Sequence, residues 1–443
     1  MELRDLLVTP IVFVFVLVIG YLLRQYFTDA LNRRYFLPAL ALKMFGAVVL
    51  GLIYQFYYPG GDTFNYHTHG SRHIWNAFID SPLAGFKLLL NDDTTDPELY
   101  RYASRILFLK DSSSFFVVRI AAVFDLFTAS SYAATAILFS VFSFVGSWML
   151  YITFYQKYPE LHKPLAVACL FIPSVVLWGS GVLKDSIVLA CLGMLTYETN
   201  RLFSERKLSF FHILVFLFAI YCIFSVKKFV LQVFLPSLLL WVFLDQLRKI
   251  KSVVVRLLSF PILACLIVYG GYLSAAKVGE GDGRYALDKI SKTVMITAYD
   301  IRYYTGKGAG SGYDLGELDG TIQSMLWLAP AAVNVTLFRP YLWEVANPLM
   351  MFSATESLLF AIGLLFIFLN GRWRIIKNLV KVDIAFCLMF ALVFAFVVGV
   401  STFNFGTLAR YKILLLPFFA IAMVLLNHQS NNDRKLAVLD ATQ

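Results

Sequence analysis

Long apolar runs separated by short polar segments make up most of the chain, and runs of about 17–25 residues have the length of a transmembrane helix. The pattern predicts an all-α polytopic membrane protein with about eleven transmembrane helices. The first run ends without a small-residue cleavage site, so we expect a retained membrane helix rather than a signal peptide. The predicted spans cover residues 6–23, 36–57, 131–154, 164–180, 186–203, 210–226, 229–246, 257–275, 349–370, 383–400 and 411–427.

Basic residues form short clusters between these runs, and such clusters mark the cytoplasmic side of a membrane protein. This rule predicts an N-terminus outside the membrane and a C-terminus in the cytoplasm. The predicted cytoplasmic clusters are Arg24/Arg33/Arg34, Lys157/Lys163, Arg201/Arg206/Lys207, Arg248/Lys249/Lys251/Arg256, Arg372/Arg374/Lys377/Lys381 and Arg434/Lys435.

Two long segments, about 58–130 and 276–348, then lie on the extracytoplasmic side. A stretch inside the second segment, 321–337, carries Pro330 and polar side chains, and we interpret it as interfacial or re-entrant. No repeat or low-complexity tract divides the sequence. We therefore predict one membrane domain over residues 1–428, followed by a polar cytoplasmic tail, 429–443.

Composition supports the same class. The 443 residues are 59% hydrophobic and only 15% charged, which excludes an ordinary soluble enzyme. The net charge of +10 comes largely from the clusters that set topology, so we expect no nucleic acid partner. All five cysteines fall in apolar stretches, where a thiol behaves as a small hydrophobic group, and we expect no disulfide framework.

Asp62 is the first candidate for chemistry. It follows Pro59, Gly60 and Gly61 directly after a predicted membrane helix, so a tight turn would hold it at the membrane surface. A carboxylate there could act as a general base on a substrate hydroxyl or bind a divalent cation. The alternative is an aspartate that caps a short helix beginning at Thr63.

Three histidines, His67, His69 and His73, follow Asp62 closely. His69 and His73 share a face if the segment is helical, so these two with Asp62 are candidate metal ligands. A structural or interfacial role is the alternative for all three histidines. We predict no certain cofactor and leave a divalent cation open.

Lys184 and Asp185 stand between two predicted spans with almost no loop, close to the outer membrane boundary. Charges are costly at that depth unless they have a role or a partner. Lys184 could contact a lipid phosphate, or the two side chains could neutralise each other.

Further charges lie at the same predicted boundary. Arg410 and Lys412 follow the last outer loop against the charge rule, and binding of a phosphate would explain both. Arg339 is either a further phosphate ligand or the partner of Glu344 or Glu356.

Four segments together resemble the bacterial GT-C-type membrane glycosyltransferases and related polysaccharide polymerases. They are Gly60-Gly-Asp62-Thr-Phe-Asn-Tyr-His67, Lys184-Asp185, Arg339-Pro340 and Asn404-Phe-Gly-Thr-Leu-Ala-Arg410-Tyr411. The resemblance implies a polyprenyl-linked sugar donor, a saccharide or lipid-linked acceptor, and a place in the inner membrane of a bacterium. It also implies Asp62 as the catalytic base or as a metal-site carboxylate, with Arg410 and Lys184 as candidate ligands of the lipid phosphate. We expect supporting roles for Asp185, His67, Glu344, Glu356 and Asn404.

The predicted function is the transfer of a sugar from a polyprenyl-(pyro)phosphate donor to an acceptor at the extracytoplasmic face, with inversion at the anomeric carbon. A polymerase that acts on lipid-linked repeat units would use the same cations. A lipid-linked sugar transporter or flippase is the alternative from a different class, although such proteins place polar groups near the bilayer midplane and often show repeat symmetry.

Overall fold

The computed structural model describes residues 2–58, 60–90, 96–250, 290–301, 303, 311–316, 318–371 and 373–441. Every regular element in these ranges is a helix, in agreement with the predicted all-α class. The chain divides into two compact units, unit 1 with residues 1–198 and 210–227 and unit 2 with residues 199–209 and 228–443. The single membrane domain stays a prediction, since two compact units can belong to one domain.

Unit 1 is built from twelve described helices. They are α1 (Leu3–Phe27), α2 (Arg33–Phe56), α3 (Asp62–Tyr66), α4 (Arg72–Asp80), α5 (Pro82–Leu90), α6 (Pro97–Ala103), α7 (Ser112–Thr128), α8 (Tyr132–Lys157), α9 (His162–Leu170), α10 (Pro173–Trp178), α11 (Lys184–Thr199) and α12 (Phe210–Val226). A π-helical turn, His67–Ser71, joins α3 to α4.

Unit 2 contributes nine more described helices. They are α13 (Lys228–Lys249), α14 (Ile290–Ile301), α15 (Ile322–Trp327), α16 (Ala329–Phe338), α17 (Pro348–Gly371), α18 (Arg374–Leu379), α19 (Val382–Thr402), α20 (Phe405–Tyr411) and α21 (Leu416–Ala441). Buried aromatic rings join α13, α19 and α21, since Phe390 lies 4.8 Å from Phe234 and 4.9 Å from Phe418 between ring centroids.

The long helices α2 and α8 of unit 1 lie side by side, with a contact at each end. Thr63, just beyond the end of α2, bonds Tyr132 at the start of α8 through hydroxyls 2.7 Å apart. At the other end Tyr155 donates to Asp29 at 2.8 Å. Because α2 has 24 residues, these two ends are about 36 Å apart. The basic residues that follow α1 and end α8 lie at one end, and helices α3 to α7 lie at the other.

Lys43 lies inside α2 and is 1% exposed. Its ammonium donates to Ser143 Oγ at 2.9 Å and to the carbonyls of Gly179 and Val175 at 3.1 and 3.2 Å. Val175 lies in the last turn of α10, where its carbonyl also accepts from the N–H of Gly179, the residue that follows the helix. The buried cation thus stabilises a helix end in the interior of unit 1.

The predicted count of about eleven spans is wrong for the described residues. Six helices are long and apolar enough to cross a membrane, or up to seven if a bent pair counts as one span. This finding fits an all-α membrane protein. The six are α1, α2, α8, α13, α17 and α19, and the bent pair joins Phe405–Leu414 to Leu416–Arg434 at 61°. One predicted span, 257–275, lies outside the described residues.

Helix breaks explain the other differences. The run 164–180 forms α9 and α10, because Pro173 has no N–H for the carbonyl of Cys169. The run 186–203 forms α11, which has 16 residues and passes into a π-helical turn, Asn200–Ser204. The 17 residues of α12 stand at the lower limit of a spanning helix. Pro417, near the start of α21, interrupts the last predicted span in the same way.

The segment that we interpreted as interfacial or re-entrant, 321–337, forms the short helices α15 and α16, and neither reaches spanning length. Leaving it out of the spans is therefore consistent with the structure. The polar tail continues α21 as a helix through Ala441.

Candidate functional site

Asp62 is held by the turn that leaves α2. Gly60 and Gly61 have φ values of +116° and +133°, a conformation that side chains disfavour, so the turn depends on glycine. Gly61 is the N-cap of α3 and Asp62 is its first residue, so Asp62 is not the cap that the alternative interpretation requires. The half-buried carboxylate therefore has a fixed place at the end of unit 1 that carries α3 to α7.

Lys184 begins α11, and its ammonium donates to Ser113 Oγ at 2.7 Å. Asp111 Oδ2 lies 3.7 Å from the same nitrogen, which is an ion-pair distance beyond hydrogen-bond reach. An ammonium has three N–H donors, and within the described ranges only Ser113 accepts from Lys184. The side chain is 17% exposed, so its charge is partly desolvated yet accessible.

The charges around Lys184 bring Asp62 into the same cluster. Burial lowers the pKa of the Lys184 ammonium below its ordinary value, and the carboxylate of Asp111, then those of Asp62 and Asp185, oppose that shift. Burial also works against ionisation of Asp111, but the Ser114 hydroxyl and the Lys184 charge outweigh it and hold the Asp111 pKa below its usual value. We call Asp62, Asp111, Ser113 and Lys184 the Lys184 cluster.

Asp185 forms its ion pair with a lysine other than the adjacent Lys184. It is fully buried, and its partner is Lys227, which follows α12 and donates to Asp185 Oδ1. The adjacent residues of the Lys184-Asp185 pair therefore point to different partners, one accessible and one buried. The result excludes the interpretation in which the pair only neutralises itself.

The three histidines have separate surroundings. His67 is fully buried, with Nε2 3.2 Å from Asp125 Oδ1 but without hydrogen-bond geometry. Asp125 also accepts from Ser71 at 2.6 Å and Thr135 at 2.7 Å, so His67 belongs to a buried polar network.

The candidate metal ligands His69 and His73 stand beside cations. Burial lowers the pKa of His73, and the charges of Arg105, His69 and Arg72 lower it further. Guanidinium groups repel a metal ion as they repel a proton, so this position disfavours a divalent cation. Within the ranges that the structure describes, no group of three or more metal-ligating side chains forms.

In unit 2, Arg339 and Glu344 form an ion pair. Arg339 Nε lies 3.0 Å from Glu344 Oε2, and Glu344 also accepts from the backbone N–H of Tyr341 at 2.8 Å. The hydrogen bond with Glu344 raises the pKa of Arg339. Burial opposes ionisation of Glu344, but Arg339 holds the Glu344 pKa below its usual value. Arg339 thus has the partner that the structural alternative predicts.

Lys412 is 1% exposed and donates to Ser357 Oγ at 3.0 Å. Ser357 in turn donates to the carbonyl of Arg339 at 3.2 Å, so a serine of α17 links the two cations. Glu356, beside Ser357 in sequence, is also buried. We call Arg339, Glu344, Ser357 and Lys412 the Ser357 cluster.

Asn404 precedes α20, and Arg410 lies in its last turn. The Asn404 side chain accepts from the N–H groups of Gly406 and Thr407 at 2.8 and 3.1 Å, which caps the helix. Its Nδ2 donates to Ser311 Oγ at 3.0 Å. Arg410 is half-buried, with its guanidinium carbon 5.8 Å from the centre of the Tyr411 ring.

The predicted site residues therefore fall into two groups, one in each unit. Asp62, Lys184 and Asp185 belong to unit 1, and Arg339, Glu344 and Lys412 meet around Ser357 in unit 2.

Sequence reasoning missed Asp111, Ser113 and Lys227. Asp111 caps α7 through Ser113 N–H, and an aspartate followed by three serines before an apolar run is a helix-start signal. Lys227 stands between two apolar runs, as Lys184 does, and the same charge argument would have identified it.

No protein-family model, curated protein or solved structure matches this chain.

Proposed function

We propose that this chain is a membrane glycosyltransferase that moves a sugar from a polyprenyl-(pyro)phosphate donor to an acceptor at the extracytoplasmic face. The observation that carries the proposal is the Lys184 ammonium, which is partly desolvated, accessible and bonded to one acceptor of the three it can serve. Uncommitted N–H donors on such a cation favour an anionic ligand.

The place of Lys184 suits a phosphate on a lipid. The polyprenyl tail stays in the bilayer, so the phosphate is presented at the membrane boundary. Lys184 contacts Ser113 at the start of α7, and α7 belongs to the helices beyond the end of α2. Cytoplasmic basic clusters at the opposite end of unit 1 would put this end outside the cell.

Asp62 is the proposed general base. The carboxylate is near enough to Lys184 to act on its charge, so an acceptor hydroxyl beside Asp62 would also be near the bound phosphate. Asp62 takes the hydroxyl proton as the oxygen attacks the anomeric carbon, and Lys184 stabilises charge on the departing phosphate. Direct displacement of this kind inverts the anomeric centre.

The proposal gives the cations of unit 2 two different roles. Arg339 is paired with Glu344 and Lys412 is buried against Ser357, and we assign them to holding the loop that follows α16. Arg410 is half-buried and stays a predicted phosphate ligand. Variants of Arg410 are expected to lose transfer activity while they still insert and fold.

Reconstitution tests the proposal. Proteoliposomes receive a polyprenyl-linked labelled sugar and an acceptor, and both sugar transfer and released lipid phosphate are measured. Asp62→Asn is expected to lower the transfer rate by about 10²–10⁴-fold, the usual contribution of a general base. A ladder of product lengths indicates a polymerase, and a single addition indicates a simple transferase.

The matched control is Asp300→Asn, because Asp300 is an exposed aspartate with no partner in the described part of the chain. It is expected to transfer sugar at the wild-type rate. Equal rates in Asp62→Asn and wild type would remove Asp62 from the mechanism, and no transfer by wild type with any polyprenyl-linked sugar would overturn the proposal.

One observation favours the flippase alternative. Lys412 is buried at a helix pair that bends by 61°, and transporters place charged groups at broken helices. A flippase would move a fluorescent lipid-linked sugar across the proteoliposome membrane without transferring it, and Lys412→Met would stop the movement. Transfer without movement supports the glycosyltransferase.

A further inference from the structure

A group of basic side chains lies in unit 1 outside the Lys184 cluster. His69, in the π-helical turn, stands four residues before His73, and the N–H of Leu107 donates to the carbonyl of His69 at 2.9 Å. That bond brings the turn carrying Arg105 against the start of α4, where Arg72 also lies. We call His69, Arg72, His73 and Arg105 the His73 patch.

The positive charge of the His73 patch comes from Arg72 and Arg105. Glu2 pairs with Arg72 and is itself half exposed, whereas Arg105 is exposed and has no hydrogen bond or ion pair to any described residue. Burial first, and then the neighbouring charges, lower the pKa of His73, which favours its neutral form, so the arginines carry the charge of the patch. An accessible excess of positive charge of this kind favours an anionic partner.

An apolar surface begins on the same helix. Ile79, in the last turn of α4, is 66% exposed, and α5 exposes Leu83, Phe86 and Leu90 at 67%, 54% and 74%. The α5 residues recur at intervals of three and four, so they form one stripe along the helix. Helices that combine such a stripe with basic residues lie in the interface of a membrane.

We propose that the His73 patch binds phosphate groups of anionic lipid headgroups while the α5 stripe enters the lipid beside it. Arginine holds phosphate oxygens through two parallel N–H bonds, which suits Arg105 in particular. The proposal makes α4 and α5 an interfacial hairpin of the first outer segment. It goes beyond the proposed glycosyltransferase and does not depend on Lys184 or Asp62.

Titration of phosphatidylglycerol onto the delipidated full chain in detergent tests the proposal, with native mass spectrometry to count bound lipids. A basic residue near an anionic surface contributes about 1 kcal/mol, so Arg105→Gln is expected to weaken binding about fivefold. Lys110→Gln is the matched control, since Lys110 is equally exposed and lacks partners among the described residues. It should bind as wild type does.

Two further measurements test whether the phosphate belongs to a lipid and whether the apolar stripe of α5 contributes to binding. Phosphatidylcholine should bind much more weakly, and inorganic phosphate should not displace phosphatidylglycerol at equal concentration. Phe86→Gln should weaken the binding of phosphatidylglycerol without altering the thermal unfolding temperature. Equal binding in Arg105→Gln and Lys110→Gln would overturn the proposal. Displacement by inorganic phosphate alone would overturn the assignment to a lipid surface.

Discussion

Two lysine–aspartate arrangements at the same end of unit 1 differ in a way that separates structure from chemistry. Lys227 and Asp185 are 8% and 0% exposed and hydrogen-bonded. Lys184 and Asp111 are 17% and 46% exposed and lie 3.7 Å apart. A buried pair costs much to break because one charge is left uncompensated, whereas an accessible pair exchanges partners easily.

Lys227→Met is therefore expected to destabilise the protein by about 3–5 kcal/mol, since it leaves Asp185 buried without its cation. Thermal unfolding in detergent measures the effect. The double variant Asp185→Leu/Lys227→Met should recover most of the loss, because an apolar pair of similar volume replaces both charges. A loss no larger than that of Lys110→Met would show that the ion pair is not structural.

Sequence pattern identified Asp62 and Lys184 because both stand out locally, one after a glycine turn and one between apolar runs. Their partners could not be predicted in the same way. Asp111 and Ser113 are more than 70 positions before Lys184, and a contact over that distance depends on the packing of α7 against its neighbours. The pairing of Arg339 with Glu344 spans five positions and was accessible to local reasoning.

At the scale of elements, small residues let two helices of unit 1 approach closely. A Cβ atom on Gly193 of α11 would lie 2.0 Å from the carbonyl oxygen of Gly146 in α8, and one on Gly146 would lie 2.1 Å from the carbonyl oxygen of Ala190. Backbone stands where a side chain would be, so neither position has room for a methyl group. Small residues at helix crossings are typical of membrane proteins.

Gly193→Ala is expected to cost about 1–3 kcal/mol of stability, the usual penalty of overpacking, because backbone cannot move aside as a side chain can. Gly363→Ala is the matched control, since its Cβ would meet only the flexible end of Met423 at 2.9 Å. Thermal unfolding of the two variants measures the difference. Equal unfolding temperatures would contradict the close crossing of α8 and α11.

The span count shows where pattern reasoning fails at this scale. Apolar composition reports that a segment is buried in lipid or protein, but not whether its helix is continuous. Pro173 and Pro417 each interrupt an apolar run that hydropathy predicts as one span. At the first of these breaks, Lys43 donates to the carbonyls at the end of α10. Those breaks depend on single prolines and on a distant ammonium, which a hydropathy window averages away.

At the scale of the whole molecule, the proposed function requires that the two ends of unit 1 face opposite sides of the membrane. In unit 1, the basic residues near the end of α8 and the start of α9 lie opposite the helices α3 to α7. The charge rule predicts that the basic end lies in the cytoplasm, and the proposed polyprenyl donor, used outside the cell, then requires the Lys184 cluster at the opposite boundary.

Cysteine labelling measures this sidedness, because the four described native cysteines are buried. Lys110→Cys should react with a membrane-impermeant maleimide in intact cells. Lys163→Cys, at an exposed position beside the basic end, should react only after permeabilisation. The reverse pattern would put the proposed site in the cytoplasm and contradict the predicted orientation.

The role of Lys184 at the donor phosphate is tested by the rate of lipid phosphate release by Lys184→Met in proteoliposomes, compared with Lys110→Met. Loss of one preorganised group that stabilises developing charge lowers a rate by roughly 10²–10³-fold. The account predicts that decrease for Lys184→Met and a wild-type rate for Lys110→Met, with both proteins folded. Equal rates in the two variants would contradict the assignment of Lys184 to the donor phosphate.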